Sequence, residues 1–136
     1  MPIDPVQPAG WAAPRGYANG ALAPAGARIL HVAGQIAWDA EQTLVGRGDF
    51  GAQFRQALAN VVAVVEAAGG SASDLASLTV YVTDKRAYLA DTKSLGASWR
   101  ELCGRHYPAM ALVEVADLLE EGALVEIQAV AALGPA

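Results

Sequence analysis

Met110, Glu114 and Glu126 are the residues of this chain whose spacing could place them on one reactive surface. They lie in the stretch Arg105 to Ala131, RHYPAMALVEVADLLEEGALVEIQAVA. Two β-type runs, AMALVEVA and ALVEIQAVA, are joined there by the acidic connector DLLEEG. Pro108 precedes the first run, where a missing N–H and a fixed φ are tolerated at a strand entry. Side chains alternate along a strand. Met110, Leu112 and Glu114 therefore share a face, opposite Ala111, Val113 and Val115. Glu126 and Gln128 likewise oppose Val125, Ile127 and Ala129. If the two runs pair as neighbours, one face closes a core and the other gathers Met110, Glu114 and Glu126. That second face is the candidate site.

Other chemistries find little support. One cysteine and two histidines are widely separated except for Cys103 and His106, and no carboxylate stands at a recognised spacing to them, so no metal site is expected. There is no GxGxxG after a strand, no phosphate loop and no GxSxG elbow, so no nucleotide cofactor or activated serine is indicated. Cys103 falls inside a helical pattern and reads as a buried structural thiol. His31, mid-strand among apolar neighbours, reads as hydrogen-bonded structure rather than a ligand.

The elements that must position these residues follow from pattern. Residues 1–16 hold four prolines and read as an irregular arm. Strands are predicted at Tyr17–Leu22 and Arg28–Ala33, with Gln35–Trp38 a short continuation beyond Gly34. Asp49 is a plausible N-cap for a long helix with a stripe of Phe54, Leu58, Val61, Val62 and Val65, ended by Gly69 and Gly70. Gln53, Gln56 and Asn60 are expected on its exposed surface. Leu75–Val82 alternates as the clearest strand of the middle region. Asp84 then caps a second helix, Ala87–Leu102, imperfect at Gly96, where glycine costs about 1 kcal/mol relative to alanine. The order is an α+β pattern: a mixed β-sheet with two helices packed on one face.

The chain of 136 residues suits a single domain, 1–136. Its net charge of −5 argues against nucleic acid as a partner. No apolar run approaches the roughly 20 residues that span a bilayer, so no membrane association is expected. The N-terminus lacks a basic start followed by an apolar stretch, and the lone cysteine excludes an intrachain disulfide; both favour the cytoplasm. With 54% hydrophobic residues, subunit interfaces are expected, and hence a homo-oligomer.

Taken together, VAGQIAWD at 32–39, LVGRGDFGAQFRQALANVVAVVEAAGG at 44–70, DLASLTVYVTD at 74–84, YPAMALVEVADL at 107–118 and ALVEIQAVA at 123–131 resemble the Rid family of reactive-intermediate deaminases, the YjgF or endoribonuclease L-PSP group. Only the arm lies outside the resemblance. It implies a chorismate-mutase-like fold and a homotrimer whose small-molecule ligands sit between subunits. It also implies hydrolysis of enamines and imines with release of ammonia, without metal or organic cofactor. By this resemblance Glu126 is the last-strand glutamate that positions or activates water, and Tyr17 is the pocket tyrosine. The family's carboxylate-clamping arginine is replaced by Met110. Ala33 stands where a serine is frequent, before the matched Gly34, and Leu112 replaces a small polar or cysteine residue. Glu114 shares the Met110 face.

The arginine's loss can be bounded. A guanidinium grips a carboxylate through paired, charge-assisted hydrogen bonds, and a thioether does not. Leaving one such partner unpaired costs about 2–5 kcal/mol, so acidic imines should suffer roughly 30- to 3,000-fold. Met110 suits an apolar or neutral group instead. Arg28, Arg105 and Lys93 are the cations that could replace the clamp. Three readings follow: a variant enamine or imine deaminase, a non-catalytic homotrimer binding an apolar ligand or a protein in the inter-subunit cleft, and, least favoured by charge, RNA cleavage.

Overall fold

Alternation along four strands and one apolar stripe on each of two helices build the molecule. A computed structural model describes residues 3–136; Met1 and Pro2 of the expected arm lie outside the described residues. The main sheet contains β3 (Arg28–Gln35), β4 (Leu75–Val82), β5 (Ala109–Glu114) and β6 (Val125–Leu133), in the order β3-β6-β4-β5. β6 is antiparallel to both its neighbours, and β4 and β5 are parallel. One face carries the long helix α1 (Phe50–Ala67) and α3 (Thr92–Cys103). The core lies between: Phe54, Leu58, Val61 and Val65 of α1 and Leu95 and Trp99 of α3 meet Leu78, Val80, Ile127 and Ala129 of the sheet. This is the α+β arrangement expected.

The pairing of the C-terminal strands differs from the expected one. β5 and β6 are not neighbours, because β4 lies between them. The physical reason is the helical connection after β4. A strand–helix–strand unit returns its second strand parallel to the first, either beside it, as β5 beside β4, or one place away, as β4 from β3, where β6 fills the gap. The connector after Glu114 carries the chain across the end of β4 to β6. Val115 N–H donates to Val82 O (2.8 Å) and Thr83 N–H to Leu124 O (3.2 Å), fixing this crossing.

Four further expectations are corrected. The arm is not wholly irregular: β1 (Asp4–Val6) pairs antiparallel with β2 (Gly20–Leu22), a strand shorter than the Tyr17–Leu22 expected. The second helix is two helices, α2 (Lys85–Leu89) and α3, broken at Ala90–Asp91 rather than at Gly96. Gln53 is fully buried, and Gln56 and Asn60 are half-buried. Gln53 donates to Gly46 O and Gly122 O and accepts from Leu124 N–H (2.9 Å); Asn60 donates to Ile36 O and Trp38 O. These amides tie α1 to carbonyls and an amide of the irregular segments that run over it. Lastly, His31 is exposed on the sheet face away from the helices. The caps hold as expected. Asp49 accepts from Ala52 N–H and Asp84 from Arg86 N–H, while Gly69, at φ 90°, ends α1.

Candidate functional site

Sheet register decides what each candidate residue can reach. Met110 lies opposite Leu78, and Leu112 opposite Val80; Leu78 and Val80 in turn lie opposite Ala129 and Ile127. These are core-facing positions, so Met110 and Leu112 point toward the helices. Glu126 lies opposite Tyr81, which lies opposite Val113. Those residues point the other way. Met110 and Glu126 thus occupy opposite faces of the sheet, not the common surface that direct pairing of β5 with β6 would have made.

On the helix side, Met110 and Leu112 form part of a cavity of about 450 Å³. Trp99, Leu95, Tyr88 and Tyr107 contribute apolar walls. Trp99 and Tyr107 stack nearly parallel, 6.0 Å between centroids at 10°, and the indole N–H donates to His106 O at 3.0 Å. This hydrogen bond satisfies the one polar atom of a nearly buried tryptophan. Tyr17 lies at the mouth, half-exposed, beside β5, because Ala18 bridges to Ala109 and donates its N–H to Pro108 O. Arg15 and Arg100 complete the charged part of the lining.

On the other face, Glu126 lies against Gly34. A Cβ at Gly34 would stand 2.8 Å from the Glu126 carboxyl carbon and 3.0 Å from its Cγ, and would overlap Oε2. The bulge between Val32 and Gln35 brings this glycine alongside β6. Absence of a side chain at 34 is therefore what lets the carboxylate lie across β3. Tyr81, next to Glu126 in register, donates its hydroxyl to Gln128 Oε1 at 3.2 Å.

The remaining candidates divide between the two faces or fall outside both. Ala33 is exposed in the bulge beside Gly34, and its carbonyl accepts from the Gln35 amide. Glu114 takes no part in the cavity lining: it is exposed and accepts from Lys85 N–H at 3.0 Å, at the start of α2. None of the three cations anticipated near Met110 lines the cavity. Arg28 donates to Gly134 O, Arg105 lines a separate groove under the arm, and Lys93 is exposed on α3. Arg15 and Arg100 were not singled out by pattern. Arg15 lies in a stretch without periodicity. Arg100 did leave a signal: it follows Gly96 by four positions, so the two share a helix face, and a helical glycine beneath a long side chain marks a gap.

Cys103 is buried, as its pattern suggested, and burial pushes its thiol up to about 12. Desolvation disfavours the thiolate, which suits a structural thiol. No helix among the described residues is long and apolar enough to cross a membrane.

Comparison with known proteins agrees with the fold. Residues 12–133 match the family described as Endoribonuclease L-PSP. A RutC family protein of Pyrococcus horikoshii is 37% identical over 103 residues, 76% of this chain and 78% of that protein. The solved structure of YyfB from Yersinia pestis, described as a protein of unknown function of the conserved Rid protein family, is 32% identical and superposes with a TM-score of 0.84, covering 98% of this chain and all of that one. RidA from an Antarctic Psychrobacter is 33% identical with a TM-score of 0.66, covering 90% and 92%.

Proposed function

We infer the activity from kinship first: this chain belongs to the Rid family, the YjgF or endoribonuclease L-PSP group, and we propose that it is an enamine or imine deaminase of altered substrate preference. The observation that carries the reading is the Glu126 carboxylate laid against Gly34. Among the described residues, Glu126 is the single carboxylate that strand alternation places on this face of the main sheet. In the proposed reaction a water held by Glu126 adds its oxygen to the C=N carbon, and its proton passes to nitrogen. A second proton then moves from the new hydroxyl to nitrogen, the C–N bond breaks, and a ketone and ammonia leave. Each transfer is within the scope of one positioned carboxylate.

Glu126 and the Met110 cavity lie on opposite faces of one chain, so a site using both needs two copies. The homotrimer implied by the family resemblance would meet that need, with each ligand between subunits. The exposed apolar side chains Ile29 and Val113 lie on the Glu126 face and suit such contact. At position 110 a thioether meets the substrate where an arginine would grip a carboxylate, which is the basis for altered preference. RNA cleavage fits a chain of net charge −5 poorly.

The test is Glu126→Gln, assayed for ammonia release from an imine generated in situ from leucine. Turnover should fall at least about 100-fold, the scale of a lost general base, with the assembly state unchanged by light scattering. Retained turnover sinks the role of Glu126. No turnover by the unaltered protein on any acidic or neutral imine favours the ligand-binding homotrimer instead; that alternative draws on the apolar character of Ala33, Met110 and Leu112.

A further inference from the structure

We propose that the cavity on the helix side takes a small monocarboxylate with a bulky apolar body, its carboxylate held at the rim by Arg100 and Arg15 and its body on Met110. This rests on the deaminase reading only in making the ligand that enzyme's substrate or product. A leucine-type imine and its 2-oxo acid have the required chemistry.

Four observations converge. Two guanidinium side chains line the cavity, and no aspartate or glutamate does. In a chain of net charge −5, such a pairing of cations without acids favours an anion. Among the described residues the ion pairs are Arg55–Glu101 and Arg86–Asp84, so neither Arg15 nor Arg100 is neutralised from within the chain. Gly96 gives the third observation. It lines the same cavity inside α3, and a Cβ there would approach Arg100 Nη1 to 3.3 Å. Helical glycine carries a cost of about 1 kcal/mol; here its bare backbone makes room both for the guanidinium and for the cavity. Lastly, the volume of about 450 Å³ falls within the range of pre-formed small-molecule sites, with apolar walls and few polar groups.

The arrangement reverses the polarity expected from an arginine at position 110. The apolar end of the ligand faces the sheet, and the charged end faces the arm and the exposed side of α3. Small acids should gain little, because they cannot reach the rim and fill the Met110 end at once.

Isothermal titration of the full chain with 4-methyl-2-oxopentanoate, its methyl ester and acetate tests this without relying on turnover. The oxo acid should bind saturably, and more tightly than either comparison ligand. Arg100→Met should weaken it about 10- to 100-fold, the scale of a lost charge-assisted hydrogen bond, and Arg100→Lys should restore part of the loss. Arg15→Met should weaken it in the same direction. Ester binding should stay unchanged in all three variants, which also reports that the cavity is intact. The proposal is overturned if the acid binds no better than the ester, if both methionine variants bind it normally, or if nothing binds. Arginine-dependent acid binding without imine hydrolysis would keep this inference and remove the deaminase reading. Hydrolysis with arginine-independent binding would do the reverse.

Discussion

Gly34→Ala isolates the contact on which the catalytic reading depends. The backbone at Gly34 is not in the left-handed region, so alanine meets no backbone strain. The conflict is with one side chain: the new Cβ would lie 2.8 Å from Glu126 Cδ, where carbon contacts are normally about 3.5–4.0 Å. The carboxylate must therefore withdraw by about 1 Å or change rotamer. Because Glu126 is half-buried with a free end, this should cost only about 0.5–1.5 kcal/mol of stability. The effect on chemistry should be larger, since a displacement of about 1 Å can cost roughly 100-fold. The assay is kcat/KM for the imine generated from leucine, paired with thermal melting. A double-mutant cycle with Glu126→Gln then separates direct from relayed effects. If Gly34 acts by seating Glu126, adding Gly34→Ala to the Glu126→Gln protein should cost less than about threefold. Near-normal kcat/KM in folded Gly34→Ala would refute the reasoning, as would an equal loss in both backgrounds.

Two further expectations concern stability. Gln53→Leu should destabilise by about 2 kcal/mol or more, because it strands the carbonyl of Gly122 and the N–H of Leu124, while Gly46 O keeps the Asp49 N–H; urea unfolding checks this, and a change below about 1 kcal/mol would show that water replaces the amide. Cys103 links stability to alkaline pH. Its folded value is raised to about 12 from an ordinary 9.0, so its contribution is complete below pH 9 and is lost as pH climbs toward 12. The loss should run at about 1.4 kcal/mol per pH unit in that window, and unfolding curves of Cys103→Ala should lack this slope.

Much of the scaffold was legible because it depends on local rules. The α1 stripe, its Asp49 cap and the alternation of Leu75–Val82 need no knowledge of distant contacts. Strand adjacency is not local: the short connector DLLEEG leaves pairing of the two C-terminal runs open, and only the whole sheet shows β5 parallel beside β4 with β6 on the far side. The observed order puts Met110 and Glu126 on opposite faces, since strand order decides which faces coincide. Gln53 was placed outside because an amide near an apolar stripe looks solvated; its partners lie on Gly46, Gly122 and Leu124, too distant in sequence to be seen. Nothing local in the sequence says that Glu126 lies across Gly34.

The bulge at Ala33 and Gly34 also decides how such molecules can meet. β3 and β5 are the two rims of the main sheet, and unpaired rims invite strand-to-strand stacking into fibres. At β3 the bulge interrupts the ladder that an incoming strand would follow. At β5 the segment at Ala18 already takes a bridge position, and Pro108 offers no N–H. Endless edge-to-edge growth is thereby discouraged at both ends, which suits the closed assembly proposed above, in which copies would meet through the Glu126 face and then stop.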